Sequence, residues 1–113
     1  MHKLVILIEP LEDMGAFQER WPEFIRLVAS MPELRREVDS SADHFLYGQT
    51  TYAKMHELYF DSLQDAQRAL SSPNGRQAGA LLQQITGGRM VLFLADHRED
   101  EAVNFRPSGG SEA

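Results

Sequence analysis

Histidine is the side chain whose charge changes near neutral pH, and this 113-residue chain has four, His2, His44, His56 and His97. His44 and His56 fall on what reads as the two arms of a hairpin, so they are the pair that could share acid and base roles. One residue of register decides whether they meet. Cross-strand partners whose numbers add to 100 would make them direct neighbours, and partners adding to 99 would turn them to opposite faces. His56 alternates with Leu58 and Phe60, which turns it toward an apolar interior where desolvation favours the neutral, basic imidazole. The plainer alternative is a histidine hydrogen-bonded within a half-buried sheet. Tyr47 and Tyr59 could orient a substrate oxygen through their phenols, or lie at the rim of a sheet with ring packed and hydroxyl wet. Trp21 and Phe24 could wall a ligand pocket; a stripe at helical spacing is more often core.

Other chemistries find less support. The two histidines with Glu57 or Asp43 can be drawn as a facial metal triad, but alternation sets Glu57 on the face opposite His56 and no short ligand motif appears, so no metal is expected. There is no cysteine, which excludes disulfides, zinc-thiolate sites, Fe–S clusters and a thiol nucleophile. Gly87-Gly88 precedes a strand instead of opening a helix, so it forms no dinucleotide or phosphate cradle, and no cofactor is expected. Seventeen acidic against eleven basic residues, a net charge of −6, repel a phosphodiester backbone, and no nucleic-acid partner is expected. Glu12-Asp13 and Glu99-Asp100-Glu101 read as a solvated turn and tail. The longest apolar runs, Leu4–Ile8 and Met90–Ala95, fall well short of the roughly 20 residues that cross a bilayer. The expectation is a cytoplasmic protein with no membrane contact.

The elements that position these residues follow from periodicity. Lys3–Ile8 is apolar on both alternating faces, a strand covered on both sides. Phe17, Trp21, Phe24, Ile25 and Val28 form one helical stripe, with Pro22 either kinking that helix or starting it anew. Met31-Pro32 stops it. Leu34–Tyr47 reads as an exposed edge strand with a bulge at Asp39-Ser40-Ser41, and Gly48–Thr51 as a reversal into a third strand over Tyr52–Asp61. Ser62-x-x-Asp65 resembles a capping box for a short helix; Ser72-Pro73-Asn74-Gly75 starts a second helical piece that Thr86-Gly87-Gly88 ends. Met90–Ala95 is the second doubly apolar strand, and residues 98–113 form a polar, frayed tail after a domain spanning 1–97.

The order β-α-β-β-α-β is the ferredoxin-like α+β arrangement, with helices on one face of a four-stranded antiparallel sheet. Helices cover only one face, yet the first and last strands are apolar on both. A second copy of the same sheet is the simplest cover, and two sheets packed across a two-fold axis give a homodimeric α+β barrel with an apolar interior.

The stretch Glu57-Leu-Tyr-Phe-Asp-Ser-Leu-Gln-Asp-Ala66, then Leu70-Ser-Ser-Pro-Asn-Gly-Arg-Gln-Ala-Gly79 and Thr86-Gly-Gly88, resembles the EthD family. Met31-Pro32-Glu33-Leu34-Arg35 is similar to that family's Leu-Pro-Gly-Leu-Arg step, with Glu33 in place of glycine. The resemblance runs from Lys3 to about His97. It implies a dimeric α+β barrel that binds a small, largely apolar organic compound in its cavity, linked to degradation of ethers and other organic compounds beside a monooxygenase system. Relatives sharing the barrel include monooxygenases, isomerases, decarboxylases and cyclases, so the resemblance fits an oxidoreductase, an accessory protein or a cofactor-free isomerase or cyclase. Many EthD-like sequences carry a histidine in helix one about eight residues before the proline of that step, and here that place is Phe24. Its absence also fits a non-catalytic ligand-binding or carrier module.

Overall fold

The computed structural model describes residues 1–48 and 52–100. Its elements are β1 (His2–Ile8), α1 (Met14–Ala29), β2 (Arg36–Ser41), β3 (Lys54–Phe60), α2 (Leu63–Ser71), α3 (Pro73–Thr86) and β4 (Met90–Asp96). The four strands form one antiparallel sheet in the order β2-β3-β1-β4, the ferredoxin-like topology expected from the sequence. No helix among the described residues is long and apolar enough to cross a membrane.

Register assigns the two faces. Leu4 pairs with Leu58 and Leu94, and Ile6 with His56 and Leu92, so the even-numbered residues of these strands face the helices. There Leu4, Ile6, Ile8, Leu58 and Phe60 meet Phe17, Phe24 and Val28 of α1, Ala66 and Ala69 of α2, and Ala78, Leu81 and Leu82 of α3. Burying a large apolar side chain of this kind contributes about 1.5–3 kcal/mol, so this layer dominates stability. The opposite face carries Lys3, Val5, Leu7, Val38, Met55, Glu57, Tyr59, Val91 and Phe93, and among the described residues no helix packs on it. Met55, Val91 and Phe93 are exposed on it.

Local chemistry explains the boundaries. Asp13 caps α1 by accepting from the Ala16 amide at 3.0 Å. Pro22 sits inside a continuous α1, so the alternative of a helix that starts anew there is not realised. Ser62 caps α2 through the Asp65 amide at 3.1 Å, and Ser72 caps α3 through the Gly75 amide, also at 3.1 Å, with Pro73 in the first turn. Gly75 is required by packing: a Cβ there would lie 2.2 Å from the Ala69 carbonyl oxygen. Gly87 and Gly88 both take positive φ, 62° and 79°, where the chain turns into β4.

The hairpin departs from the sequence reading. β2 covers Arg36–Ser41 instead of Leu34–Tyr47, its pairing with β3 is regular through Asp39–Ser41, and β3 starts at Lys54. Partners add to 95, as in Asp39 with His56, so neither of the two registers considered for His44 and His56 occurs. The ladder closes where the Ala42 amide donates to the Ala53 carbonyl at 2.9 Å, leaving His44 to Tyr47 beyond its end. Of the expected reversal at Gly48–Thr51, residues 49–51 lie outside the described residues, as does the tail beyond Asp100.

Candidate functional site

β3 presents His56 to the helix side and β2 brings two carboxylates to the same face, because Asp39 is its cross-strand partner and Glu37 lies two residues away. His56 is 1% exposed. Its Nδ1 lies 2.9 Å from Asp39 Oδ1, and its Nε2 lies 2.6 Å from Glu37 Oε2. An ionised carboxylate only accepts, so the ring satisfies both neighbours only when both nitrogens carry hydrogen or one carboxyl does. The proton inventory is therefore shared along Asp39–His56–Glu37.

Aromatic rings from α1 enclose the imidazole. Trp21 meets it edge to face with centroids 5.1 Å apart, and Phe24 does so at 6.2 Å. Phe17, Trp21 and Phe24 are themselves a tilted stack at 5.1 and 4.9 Å. Lys54 Nζ lies 4.8 Å above the Trp21 ring and donates to Asp39 Oδ2 at 2.7 Å. Partial burial pushes the Asp39 carboxyl up, but the hydrogen bonds from Lys54 and His56 together hold it below the ordinary aspartate value. The carboxylates reach outward from the buried ring, with side-chain exposures of 24% for Glu37 and 43% for Asp39.

The structure thus brings His56, Trp21 and Phe24 together and leaves three other sequence candidates elsewhere. His44 is an exposed residue beside Asp43, Nδ1 to Oδ2 3.4 Å, and Tyr47 is fully exposed. Tyr59 is buried, but on the opposite face of the sheet, where Arg36, Lys3 and His97 surround its ring. Glu57 also lies on that opposite face, as alternation required, and forms an ion pair with Lys3. That bond holds the Lys3 ammonium above its ordinary pKa against the opposing effect of burial. His56 consequently does not face the cavity that a second sheet would close. Between helices and sheet, a hollow of about 50 Å³ lies among Leu4, Ile6, Phe24, Val28, Leu58 and Leu82.

Glu37 and Asp39 were not singled out by sequence reasoning. Their signal was present: two acidic residues at alternate positions of an edge strand occupy one face. Without the register, nothing set that face against His56.

Comparison with known proteins places this architecture. No protein-family model matches the chain. An uncharacterised 11.0 kDa protein of Rhodococcus erythropolis, from the thcB-thcC intergenic region, is 25% identical over 97 residues, which cover 85% of this chain and 94% of that protein. The crystal structure of an ethyl tert-butyl ether D (EthD) family protein from Bacillus halodurans has a TM-score of 0.80 at 25% identity, covering 87% of this chain and 99% of that one. SnoaB of Streptomyces nogalater, a cofactor-independent oxygenase, shares the fold at a TM-score of 0.63 and 11% identity, over 89% of this chain and 95% of its own. Other structures of this fold are described as dimeric ferredoxin-like proteins. In sequence and in architecture alike, the chain resembles the EthD family.

Proposed function

We propose that this chain processes a small, largely apolar organic compound by proton transfer, without a cofactor, and works as a homodimer. The observation that carries this reading is the buried His56 with a carboxylate on each ring nitrogen. Glu37 is the arm that meets the compound, accepting a proton from an acidic O–H or C–H. His56 acts through Glu37 as the positioning residue, and Asp39 with Lys54 fixes the far side of the ring. Trp21, edge to face with His56, supplies the apolar wall beside the ring.

Three observations support it. Phe24, at the helix position where many EthD-like sequences carry histidine, lies against His56, so strand β3 delivers an imidazole to the same neighbourhood from the sheet. SnoaB is a cofactor-independent oxygenase, which makes cofactor-free chemistry a property this fold accommodates. The exposed Met55, Val91 and Phe93 on the helix-free face, together with dimeric proteins of this fold, favour a second copy as the cover. Deprotonation of this kind opens an isomerising route for an enolisable ketone, and an oxidative route for a phenol where dioxygen from solution is the oxidant.

A second reading, a binding module without turnover, is favoured by the engagement of both ring nitrogens and by the small internal hollow. Native mass spectrometry of the freshly purified protein separates these readings when followed by assay of any retained compound. The expected result is a mass near twice 12.8 kDa, with turnover of that compound falling about 100-fold in Glu37→Gln. A monomer overturns the assembly, and binding without product favours the module.

A further inference from the structure

At the end of the helix-free face where β1 starts and β3 finishes, the chain builds a receptor for a carboxylate and fills it with one of its own. Tyr59 is the floor, 4% exposed. Arg36, its cross-strand partner, lies over the ring with the guanidinium carbon 4.4 Å from the centroid. His97 meets the same ring edge to face at 4.7 Å, and its backbone amide donates to the Met1 carbonyl at 2.9 Å. Two hydrogen-bonding groups from different strands' ends are thereby fixed on one aromatic platform.

Between them sits the Glu99 carboxylate. Its Oε2 accepts from Arg36 Nη2 at 2.9 Å and lies 2.6 Å from His97 Nε2. His97 and then Arg36 hold that carboxyl below the ordinary glutamate value. The receptor and its occupant differ in one respect. His97 is largely buried and Arg36 is half exposed but held over the Tyr59 ring, whereas Glu99 is an exposed side chain two residues beyond His97. An open groove of about 760 Å³ adjoins it, lined by Met1, Arg35, Arg36, His97, Arg98 and Glu99. Three arginines on one groove stand out in a chain of net charge −6. Met1, exposed at the edge of the same groove, gives apolar surface for the body of a ligand.

We infer that Arg36, His97 and Tyr59 form a binding site for the carboxylate of a small apolar monocarboxylic acid, and that Glu99 is an internal occupant which the ligand displaces. Arginine presents paired N–H groups that match a carboxylate, and the imidazole adds a further donor. The site lies on the opposite face of the sheet from His56 and stands independently of the proton-transfer reading.

The test titrates benzoate, with benzamide as the neutral isostere, into the full-length ¹⁵N-labelled protein and follows the amide signals of His97 and its neighbours. Weakening an internal competitor held by its contacts with Arg36 and His97 on an exposed surface should tighten benzoate binding about 2- to 5-fold in Glu99→Gln. Adding Arg36→Gln to that variant should weaken it by about 10-fold or more. His97→Phe, which keeps a ring against Tyr59 and removes the imidazole nitrogens, should weaken it as well, with the amide spectrum elsewhere unchanged. Asp61→Asn neutralises a carboxylate that pairs with Arg35 at 2.8 Å in the same neighbourhood, and it should bring no gain. Equal affinity in the wild type and Glu99→Gln, an equal gain in Asp61→Asn, benzamide binding as well as benzoate, or no benzoate binding in any variant each overturns the inference.

Discussion

His56 and Asp39 are direct cross-strand partners whose side chains meet on the helix side of the sheet, Nδ1 to Oδ1 at 2.9 Å. The pairing ties β2, an edge strand with few buried apolar residues, to β3 and through Trp21 to α1. His56→Ala would remove both bonds and leave space under Trp21 and Phe24. The expected loss is about 2–4 kcal/mol, read as a lower urea midpoint. His56→Gln, which keeps volume and one amide donor, should lose less.

Acid should weaken the same clamp. Asp39 is more acidic in the folded state than in the unfolded chain, so as pH drops the unfolded state takes up protons first and stability falls. This contribution is complete above about pH 5 and disappears as pH falls through about 4 and below. Urea midpoints measured across that range should decline less steeply in Asp39→Asn than in the wild type.

Gly75 and Gly79 lie one helical turn apart in α3 and should respond oppositely to alanine. At Gly75 the new methyl would strike the Ala69 and Leu70 carbonyl oxygens at 2.2 and 2.8 Å, all backbone, so the junction of α2 and α3 must move. The expected cost is about 3 kcal/mol or more. At Gly79 a methyl meets nothing within 4 Å, and higher helix propensity should stabilise by about 0.5–1 kcal/mol. Thermal unfolding of the two variants checks both signs.

Glu33 adopts a positive φ of 67°, the left-handed region, at the place where the EthD-like step has glycine. A side chain there costs about 1–2 kcal/mol, and its ion pair with exposed Arg68 at 3.6 Å returns little. Glu33→Gly should therefore raise stability by about 0.5–1 kcal/mol after the extra unfolded-state entropy of glycine is allowed for, with an unchanged denaturant slope.

These cases show which parts of the molecule could be read from sequence. Doubly apolar Leu4–Ile8 and the stripe of Phe17, Phe24 and Val28 announce themselves through burial, and Ser62 and Ser72 through capping chemistry, because each signal is local. The EthD-like motifs prove to be architectural: Ser72, Pro73 and Gly75 cap and crowd a helix junction, and Gly87 and Gly88 take left-handed turns. The hairpin is different. A polar edge strand such as Arg36–Ser41 fixes its register through distant partners, here His56 with Asp39 and Arg36 with Tyr59, so a search near His56 in sequence could not reach Glu37. His44 and Tyr47 looked useful only while the ladder was assumed to extend to them.

Proton transfer through the proposed Glu37–His56–Asp39 chain to or from a bound organic compound would show as solvent deuterium exchange. A panel of enolisable ketones is screened for binding by native mass spectrometry, and exchange at the α-carbon of each bound ketone is followed in heavy water. The expected result is exchange above the solvent rate with wild-type protein, falling about 100-fold in Glu37→Gln and strongly in His56→Gln, with binding retained. Exchange at the solvent rate for every bound compound, or equal exchange in the wild type and Glu37→Gln, would contradict it.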